Sequence, residues 1–264
     1  MDKILVEKKG RVRIITINRP ERMNALDYDV NQELIRAFEA FEADPDAYVA
    51  VLTGAGDKAF CAGADLKDYT LQYVTRPAPE FRTDYIDGPG FGGITRNFKG
   101  SKPVVAAING YTMSGGLELA LATDIRFCSD NAVFALQDVN WGFHCCDGGS
   151  IRLPMVVGLG NAMEMLLSGE RFDAQHALRI GLVNRVIPQA RLLQDTIKFA
   201  EKLATRAPLA QRFAKDVLRR SVGMGMEEAL RLECRSFYDL AHTEDLREGV
   251  TAFREKRPAS FRGK

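Results

Sequence analysis

Two acidic residues, Glu118 and Asp138, lie in mainly apolar stretches of the sequence. Glu118 follows a glycine pair at 115–116 within the apolar run 102–123, and Asp138 ends a mainly apolar segment that begins at Ala132. A buried carboxylate costs several kcal/mol unless it is hydrogen-bonded or its pKa shifts. We therefore predict that both acids take part in proton transfer. The alternative is structural, with Glu118 capping the helix that it opens and Asp138 bonding local N–H groups at a strand end.

Two turns of small residues precede these acids. The turns at 62–64 (Ala-Gly-Ala) and 114–116 (Ser-Gly-Gly) leave their backbone N–H groups unobstructed, and a following helix adds positive potential at its first turn. Together they predict an oxyanion hole. Taken singly, each also fits an ordinary tight turn.

The composition is that of a globular protein with one large domain, or a core with an appended module. The chain has 264 residues, of which 46% are hydrophobic. Its 36 Lys and Arg residues nearly balance 35 Asp and Glu residues, so no overall field attracts nucleic acid or an anionic membrane. The first residues are too charged for a secretory signal, and turn or charged residues interrupt every long apolar run. We expect a cytoplasmic protein.

The cysteines and histidines lack the spacing of metal sites. Five scattered cysteines predict reduced thiols, and three distant histidines predict no metal site. The adjacent Cys145 and Cys146 fit buried thiols better than a reactive pair. His144 is interpreted as a pocket or core residue, because a catalytic base would need a carboxylate partner, for which Asp147 is the nearest candidate in sequence.

Strands and helices alternate before residue 187, and only helices follow. The first part has predicted strands at 11–17, 47–53, 102–109 and 124–128 and predicted helices at 27–44 and 115–122. The second part has predicted helices at 189–207, 209–221, 226–242 and 243–256. The sequence thus predicts an α/β fold followed by a helical module, whose apolar faces bury on their own core or on another subunit.

The segment 69–100 is rich in proline, glycine and aromatic residues, which is typical of a lid, a binding loop or a mobile segment. Its glycines at 88, 90 and 93 match a dinucleotide-binding spacing. No strand is predicted before them, Pro89 lies among them and no clear helix follows, so nucleotide binding is not expected here.

A set of peptides, in this order and spacing, resembles a known superfamily. They are Asn18-Arg19-Pro20 with Asn24-Ala25-Leu26, the block from Phe60 to Lys67, the run from Lys102 to Tyr111 leading to Gly115-Gly116-Leu117-Glu118, Arg152-Leu153-Pro154, Gly181-Leu182-Val183-Asn184, and the ending from Glu244 to Arg257. Over nearly its whole length the chain resembles the crotonase, or enoyl-CoA hydratase/isomerase, superfamily.

The resemblance implies a fold and a substrate class. The fold is a spiral of ββα units over residues 1–187 that holds a coenzyme A (CoA) thioester, followed by a helical trimerisation region over 188–264. The partner molecules implied are an acyl-CoA thioester and further copies of the chain, as a trimer or a dimer of trimers. No metal or redox cofactor is implied, because coenzyme A is part of the substrate.

The resemblance also assigns residues to the site. Backbone N–H groups of Ala64 and Gly115 would bind the thioester oxygen as it becomes an enolate, which is worth about 10² to 10³ in rate for each donor. Trp141 is expected in the acyl pocket, and Lys256 is expected to meet a phosphate, on a neighbouring subunit's ligand. The remaining residues expected to line the CoA channel are Met23, Ala25, Ala62, Asp65, Leu66 and Lys67.

By the same resemblance, Glu118 would act as the base toward water and Asp138 would exchange the proton at the α-carbon of the thioester. Relatives have glutamate where this chain has Asp138, which is shorter by roughly 1.5 Å. Some isomerases of the family carry aspartate at the position of Cys146, whereas this chain has Asp147 one residue later. The preferred prediction is therefore a hydratase-type lyase that adds water to a 2-enoyl-CoA or removes it.

Four alternatives stay open at this point. One is a double-bond isomerase with a single working acid, and another is an acyl-CoA hydrolase that uses the same oxyanion hole. A carnitinyl-CoA dehydratase-like enzyme is indicated by the stretch 90–98, which resembles the corresponding loop of those enzymes. A non-catalytic acyl-CoA-binding protein is the fourth, and Glu118 argues against it.

Overall fold

The structure is a computed structural model that describes residues 2–69, 71 and 75–264. Part of the irregular segment predicted at 69–100, namely residues 70 and 72–74, lies outside the described residues.

The strands form two sheets. In chain order they are Ile4–Lys9 (β1), Val12–Ile17 (β2), Val49–Gly54 (β3), Ala59–Cys61 (β4), Val104–Ile108 (β5), Tyr111–Met113 (β6), Ile125–Ser129 (β7), Val133–Ala135 (β8), Phe172–Asp173 (β9) and Arg185–Ile187 (β10). The larger sheet has the order β1-β2-β3-β5-β7-β10, in which only the β1–β2 hairpin is antiparallel. The smaller sheet has the order β4-β6-β8-β9, in which β4, β6 and β8 are parallel.

The helices cover these sheets and then continue beyond them. In chain order they are Tyr28–Ala43 (α1), Ala78–Phe81 (α2), Gly115–Ala122 (α3), Gly149–Val157 (α4), Leu159–Ser168 (α5), Ala174–Arg179 (α6), Gln189–Ala204 (α7), Pro208–Arg220 (α8), Met226–Ala241 (α9) and Glu244–Glu255 (α10). The helices predicted from the sequence agree with α1, α3, α7, α8, α9 and α10 to within a few residues.

A ββα repeat links the two sheets. The unit β5-β6-α3 places one strand in each sheet and follows them with a helix, and β7-β8-α4 repeats the pattern. The expected mixed α/β fold with ββα units is thus present. The repeat matters for the site, because each passage from the larger to the smaller sheet ends in a turn that leads into a helix.

Both faces of the larger sheet are apolar. Side chains alternate along β2, so that Ile15 and Ile17 join the main core with Leu34 of α1, whereas Ile14 packs in a second cluster with Leu192 of α7. Coverage on both faces is the usual state of a parallel sheet and explains why its central strands β3 and β5 are nearly continuous apolar runs in the sequence. Helix α7 therefore belongs, by its contacts, with the sheet.

The described part of the segment 75–100 is not a featureless loop. It contains α2, a π-helical turn at Arg82–Ile86 and a 3-10 turn at Phe91–Gly93, and its Phe91 and Thr95 side chains are buried. No strand leads into Gly88 within the described residues, in accord with the expectation that the glycine spacing there is not a dinucleotide fingerprint.

The last three helices leave large apolar side chains exposed. Helix α9 has no buried residue at all. Exposed apolar residues of α8 to α10 and of the turn after α8 are Leu218, Val222, Met226, Leu230, Phe237, Tyr238, Leu246, Val250 and Phe253. Apolar faces of this extent are typical of contact surfaces between proteins. Assembly through them, and a division of the chain near residue 188, stay predictions.

Among the described residues, none of the helices combines the length and the apolarity that crossing a bilayer requires.

Candidate active site

The two small-residue turns lie against each other. Gly63 has φ +93°, and a Cβ atom on it would lie 3.0 Å from the Met113 carbonyl oxygen and 3.2 Å from the Gly115 nitrogen. Glycine is required here for two reasons, because L-residues rarely adopt this φ and because the backbone of the second turn fills the space. The turn at 62–64 and the turn at 114–116 thus form one wall.

A parallel bridge aims the Ala64 N–H away from its neighbouring segment. The Leu26 N–H donates to the Gly63 carbonyl at 2.9 Å, and the Asp65 N–H donates to the Leu26 carbonyl at 2.8 Å. In a parallel pairing of this kind the residue between the two bonded groups, Ala64, directs its own N–H to the opposite side. That side is the cavity, which Ala64 lines.

The second donor comes from a strained turn. Ser114 has φ 47° and ψ −117°, a conformation that a non-glycine residue holds only at a cost. It directs the chain from β6 into α3, whose first residue is Gly115. The N–H groups of the first helical turn have no partner within the helix, and the helix dipole adds partial positive charge there. Gly115 also lines the cavity, so both predicted donors face one space.

Glu118 lies one turn into α3 and is only 2% exposed. Its Oε1 accepts hydrogen bonds from the N–H groups of Asp147 (2.6 Å) and Gly149 (2.8 Å). Burial raises its pKa to about 8, the negative charge of Asp147 adds to this shift, and the two N–H donors oppose it. A carboxyl group with this pKa is able both to donate and to accept a proton near neutral pH.

Asp138 begins a 3-10 turn, Asp138–Trp141, directly after the smaller sheet. Its side chain is buried, and Oδ2 has no hydrogen-bond partner among the described residues. Burial raises its pKa, while the Ser114 hydroxyl and His144 oppose the shift. A buried carboxylate oxygen without a partner is costly and is a common feature of functional sites.

A single cavity of about 710 Å³ joins these groups. The residues of the sequence prediction that line it are Ala62, Ala64, Leu66, Gly115, Glu118, Asp138 and Trp141. His144, interpreted from the sequence as a pocket or core residue, also lines the cavity. Other lining residues that were not among the predicted site residues include Phe81, Phe91, Met113, Gln137, Cys146 and Asp147. A second, mainly apolar cavity of about 280 Å³ shares Asp138 and His144 with the first.

A family model and several relatives match the chain. The model described as enoyl-CoA hydratase/isomerase matches residues 7–264. This protein belongs to the enoyl-CoA hydratase/isomerase family. Carnitinyl-CoA dehydratases of Escherichia coli K12 and Proteus mirabilis HI4320 are 40% identical to it over 261 and 260 residues, with 97% of both chains covered in each case.

Solved structures agree with the assignment. The chain is similar to an enoyl-CoA hydratase from Bacillus anthracis (TM-score 0.88, 32% identity, 100% of both chains). It is also similar to Pseudomonas aeruginosa DspI (TM-score 0.88, 37% identity, 99% of this chain and 97% of that one). The resemblance to the crotonase superfamily and the predicted fold are therefore confirmed, and the protein is an enzyme of this family.

Several residues expected to contact CoA also hold loops of the protein together, and their contact with CoA stays a prediction. The Arg19 guanidinium donates to the Ala25 carbonyl at 3.1 Å and pairs with the Asp65 carboxylate at 3.0 Å. The Met23 carbonyl accepts the Ala62 N–H at 3.0 Å. Met23, Ala25 and Asp65 do not line the main cavity in the described structure, so their closest observed contacts are to other loops of the protein.

Two lysines expected to contact CoA lie outside the cavity. Lys67 is exposed in the turn after Asp65, where its N–H donates to the Asp65 carboxylate at 3.1 Å. Lys256 ends α10 in a left-handed conformation and is exposed. Both positions leave the ammonium groups accessible to an anion, and binding of CoA by them stays a prediction.

The thiols and the histidine beside the acids do not form a nucleophilic pair. Burial raises the pKa of Cys145 to about 11 and that of Cys146 to about 12, so neither is a thiolate near neutral pH. All five cysteines are free. The His144 Nδ1–H donates to the Cys145 carbonyl at 2.8 Å, so this ring nitrogen is not free to act as a base.

Metal coordination was not expected. Within residues 2–69, 71 and 75–264, His, Cys, Asp and Glu do not form a group of three or more that is placed to hold a metal ion. That the reaction needs no metal stays a prediction.

The raised pKa of Glu118 makes the stability of the folded enzyme fall as pH rises. Because the folded carboxyl group holds its proton up to about pH 8 and the unfolded one only to about 4.5, folding takes up a proton between these values. The stability from this group is full below the unfolded pKa and is lost as pH rises through the folded pKa.

We expect Glu118→Gln, which cannot ionise, to melt at a progressively higher temperature than the wild type as pH rises from 5 to about 9, by an amount that corresponds to a few kcal/mol at the alkaline end. Thermal melts at a series of pH values measure this. A constant difference across the range would contradict the assignment of the shift to Glu118.

Proposed function

We propose that this enzyme adds water to a 2-enoyl-CoA thioester or removes it from a 3-hydroxyacyl-CoA. The observation that carries the proposal is the presence of two buried carboxyl groups, Glu118 and Asp138, on the one cavity that Ala64 and Gly115 also line. Acid–base exchange at two neighbouring carbons next to a stabilised carbonyl oxygen is what reversible hydration requires.

The thioester carbonyl oxygen is proposed to lie between the N–H groups of Ala64 and Gly115. When the α-proton leaves, negative charge moves onto this oxygen, and donors already fixed by the 62–64 and 114–116 turns stabilise it without reorganising. The partial positive charge at the start of α3 acts in the same direction.

In the direction of dehydration, Asp138 takes the proton from the α-carbon, and the electron pair of the C–H bond moves to the thioester oxygen as an enolate. As the enolate collapses, the pair forms the double bond between the α- and β-carbons, and the C–O bond at the β-carbon breaks. Glu118 gives its proton to the departing oxygen, which leaves as water. Hydration runs through the same steps in reverse, with Glu118 as base toward water and Asp138 as acid toward the α-carbon.

Isomerisation without water is the less favoured alternative. An isomerase was expected to use a single working acid, whereas two buried acids, Glu118 and Asp138, line this cavity. Asp147 is a poor candidate for a further acid, because its Oδ1 already accepts hydrogen bonds from the Phe91 N–H and the Thr95 hydroxyl and pairs with Arg96. These contacts occupy the carboxylate and favour Asp138 as the second proton-transfer group.

The acyl group is proposed to be polar, with a cationic group as in a carnitinyl chain. The relatives named carnitinyl-CoA dehydratase suggest this, and the cavity supports it because Phe91, Trp141 and Phe143 supply aromatic faces close to the acids. The test compares kcat/KM for 3-hydroxybutyryl-CoA and for the analogue with a trimethylammonium group at the chain end. A preference for the uncharged ester would overturn this substrate class and leave the hydration chemistry intact.

The CoA portion is proposed to leave the cavity past Leu66 and Lys67, with Met23, Ala25, Ala62 and Asp65 shaping that exit. The exposed apolar faces of α8 to α10 support a homo-oligomer, a trimer or a dimer of trimers, in which Lys256 of one copy reaches a phosphate bound by its neighbour. Sedimentation of the native enzyme tests the assembly, and a monomer at micromolar concentration would refute it.

Asp138→Asn should separate the two proton transfers. Because the amide cannot take the α-proton, we expect kcat to fall by about 10²- to 10⁴-fold and exchange of the α-hydrogen of a saturated acyl-CoA in D₂O to stop. NMR of the recovered thioester measures the exchange. Asp195→Asn, which alters an exposed helix pair with Arg191, is the matched control. Wild-type exchange by Asp138→Asn would assign the α-carbon step to another group.

A further inference from the structure

The Asp147 side chain makes several contacts that a role in proton transfer would not require. Its Oδ1 accepts hydrogen bonds from the Phe91 N–H at 3.0 Å and from the Thr95 hydroxyl at 2.9 Å. The Arg96 guanidinium lies 3.1 Å from the same oxygen as an ion pair, with its N–H groups not aligned for a hydrogen bond. Asp147 is only 3% exposed. These three partners of its Oδ1 all belong to the segment 91–96.

The backbone of Asp147 faces the other way. Its N–H donates to Glu118 at 2.6 Å, the shorter of the two hydrogen bonds that Glu118 accepts from the chain. Its carbonyl accepts from the Arg152 guanidinium at 3.1 Å, and the same guanidinium donates to the Thr95 carbonyl at 2.7 Å. One residue therefore joins the acid on α3 to the segment 91–96 by two separate routes.

Phe91 is the part of that segment that reaches the site. Its ring lines the cavity, and its Cε1 lies 3.1 Å from the place a Cβ on Gly115 would occupy. The ring is fixed from its other side by an edge contact with Tyr69, at 5.8 Å between centroids. Displacement of Phe91 would therefore open space beside Gly115.

We propose that Asp147 is a positioning residue that holds Phe91 against the oxyanion turn by its side chain, holds Glu118 by its backbone N–H, and acts on the Glu118 carboxyl group through its buried negative charge. The inference rests on the proposed function only in identifying the departing oxygen as the group that accepts the Glu118 proton. The linkage between the segment 91–96 and Glu118 is independent of the reaction.

Several charges act on Glu118 and Asp147. Asp147 and, more weakly, Asp138 raise the pKa of Glu118, and the Arg152 guanidinium also interacts with it. The neighbouring thiols Cys145 and Cys146 stay neutral, since burial raises their pKa. On the other side, Asp147 faces Arg96, Arg152, the Cys146 thiol at 3.6 Å and the Tyr85 phenol, whose pKa it helps to raise. Removal of the Asp147 charge alone therefore changes the Glu118 pKa in a known direction, downward.

The test is Asp147→Asn, whose amide oxygen can still accept from the Phe91 N–H and the Thr95 hydroxyl. The pKa of Glu118 is measured by infrared difference spectroscopy as the protonated C=O stretch that Glu118→Gln lacks, and independently as the alkaline midpoint of kcat. We expect both midpoints to fall by about one pH unit in Asp147→Asn. Asp195→Asn, remote from the cavity, is the matched control and should leave them where they are.

Two further variants separate charge from support. Thr95→Val removes one hydrogen bond to Asp147 and keeps its charge, so we expect an unshifted midpoint with a KM raised several-fold as Phe91 loosens. Arg96→Gln removes the counter-charge, so the midpoint should rise. This opposite shift keeps the proposal testable if Asp147→Asn does not fold.

An infrared midpoint in Asp147→Asn that equals the wild-type value, in a variant that melts normally, would overturn the proposal. So would a downward shift in Arg96→Gln. If no acyl-CoA is hydrated or dehydrated by the wild type, the proposed function fails, and the infrared titrations still decide the role of Asp147.

Discussion

Replacement of Glu118 by glutamine is expected to lower kcat by about 10³-fold while acyl-CoA affinity changes by less than about threefold. The amide oxygen can still accept the N–H groups of Asp147 and Gly149, so the side chain should keep its place. What it loses is the proton that the departing oxygen needs, or the base that water needs in the reverse direction. Binding to Ala64 and Gly115 does not involve this proton, so affinity is spared.

The measurements are steady-state hydration of a 2-enoyl-CoA and calorimetric titration with a saturated acyl-CoA. Glu170→Gln, an exposed substitution beyond α5, is the matched control for a general effect of removing a carboxylate. Turnover by Glu118→Gln within tenfold of the wild type would sink the proposed mechanism. A loss of affinity in step with kcat would instead indicate a collapsed site.

The wild-type rate should also report the pKa of Glu118. In dehydration the protonated form is active, so kcat should fall as pH rises past about 8; in hydration the ionised form is active, so kcat should rise over the same interval. If kcat falls with pH in dehydration and rises in hydration, both measured with one enzyme preparation, the effect comes from proton transfer by Glu118. A pH effect on folding would change kcat in the same direction for both reactions.

The second large effect is expected at Gly116, the other glycine of the pair. A Cβ atom there would lie 2.8 Å from the Cys61 carbonyl carbon and closer still to its oxygen, which belong to β4. Neither group is the end of a flexible side chain, so α3 would have to move away from the smaller sheet. We expect Gly116→Ala to destabilise the protein by about 3 kcal/mol, or roughly 6–12 °C in melting temperature.

Gly160→Ala provides the control, because Gly160 lies within α5 and a Cβ there meets nothing within 4 Å. Alanine is the better helix former, so this variant should be neutral or more stable by up to about 1 kcal/mol. Melting curves of both variants measure the difference. Equal stability of Gly116→Ala and the wild type would mean that α3 can shift without cost, and the fixed position of Glu118 would then need another explanation.

The sequence predicts elements well where burial decides them. The strands β3 and β5 are nearly continuous apolar runs, and β2 and β7 are largely apolar, because both faces of the larger sheet are covered. The helices α7 to α10 show their periodicity clearly. Strand β1 escaped prediction because nearly all its side chains are exposed and no alternation marks it. Its pairing with β2 depends on the turn at Gly10 and on backbone hydrogen bonds, which leave little trace in residue type.

The active site, too, was predictable from the sequence only in part. Glu118, Asp138 and the two small-residue turns were expected together, and the structure brings them to one cavity. The supporting contacts of Phe91 and Asp147 were not expected, because they join segments that are distant in sequence. Phe91 lies 56 residues from Asp147, and Asp147 lies 29 residues from Glu118, and each pair is joined by a single hydrogen bond. Asp65 forms an ion pair with Arg19 that the sequence did not predict, and its contact with CoA stays a prediction. A charged residue in a loop carries no local sign of which partner it will meet.

The bridge between Leu26 and Ala64 and the close approach of Gly63 to Gly115 have a consequence for folding. The two N–H groups proposed to hold the thioester oxygen come from segments about fifty residues apart, and a third distant segment orients one of them. Contacts of such sequence separation close late, since each requires a long stretch of chain to be ordered first. We therefore expect affinity for the thioester to appear late in refolding, when the sheets and their turns have been joined.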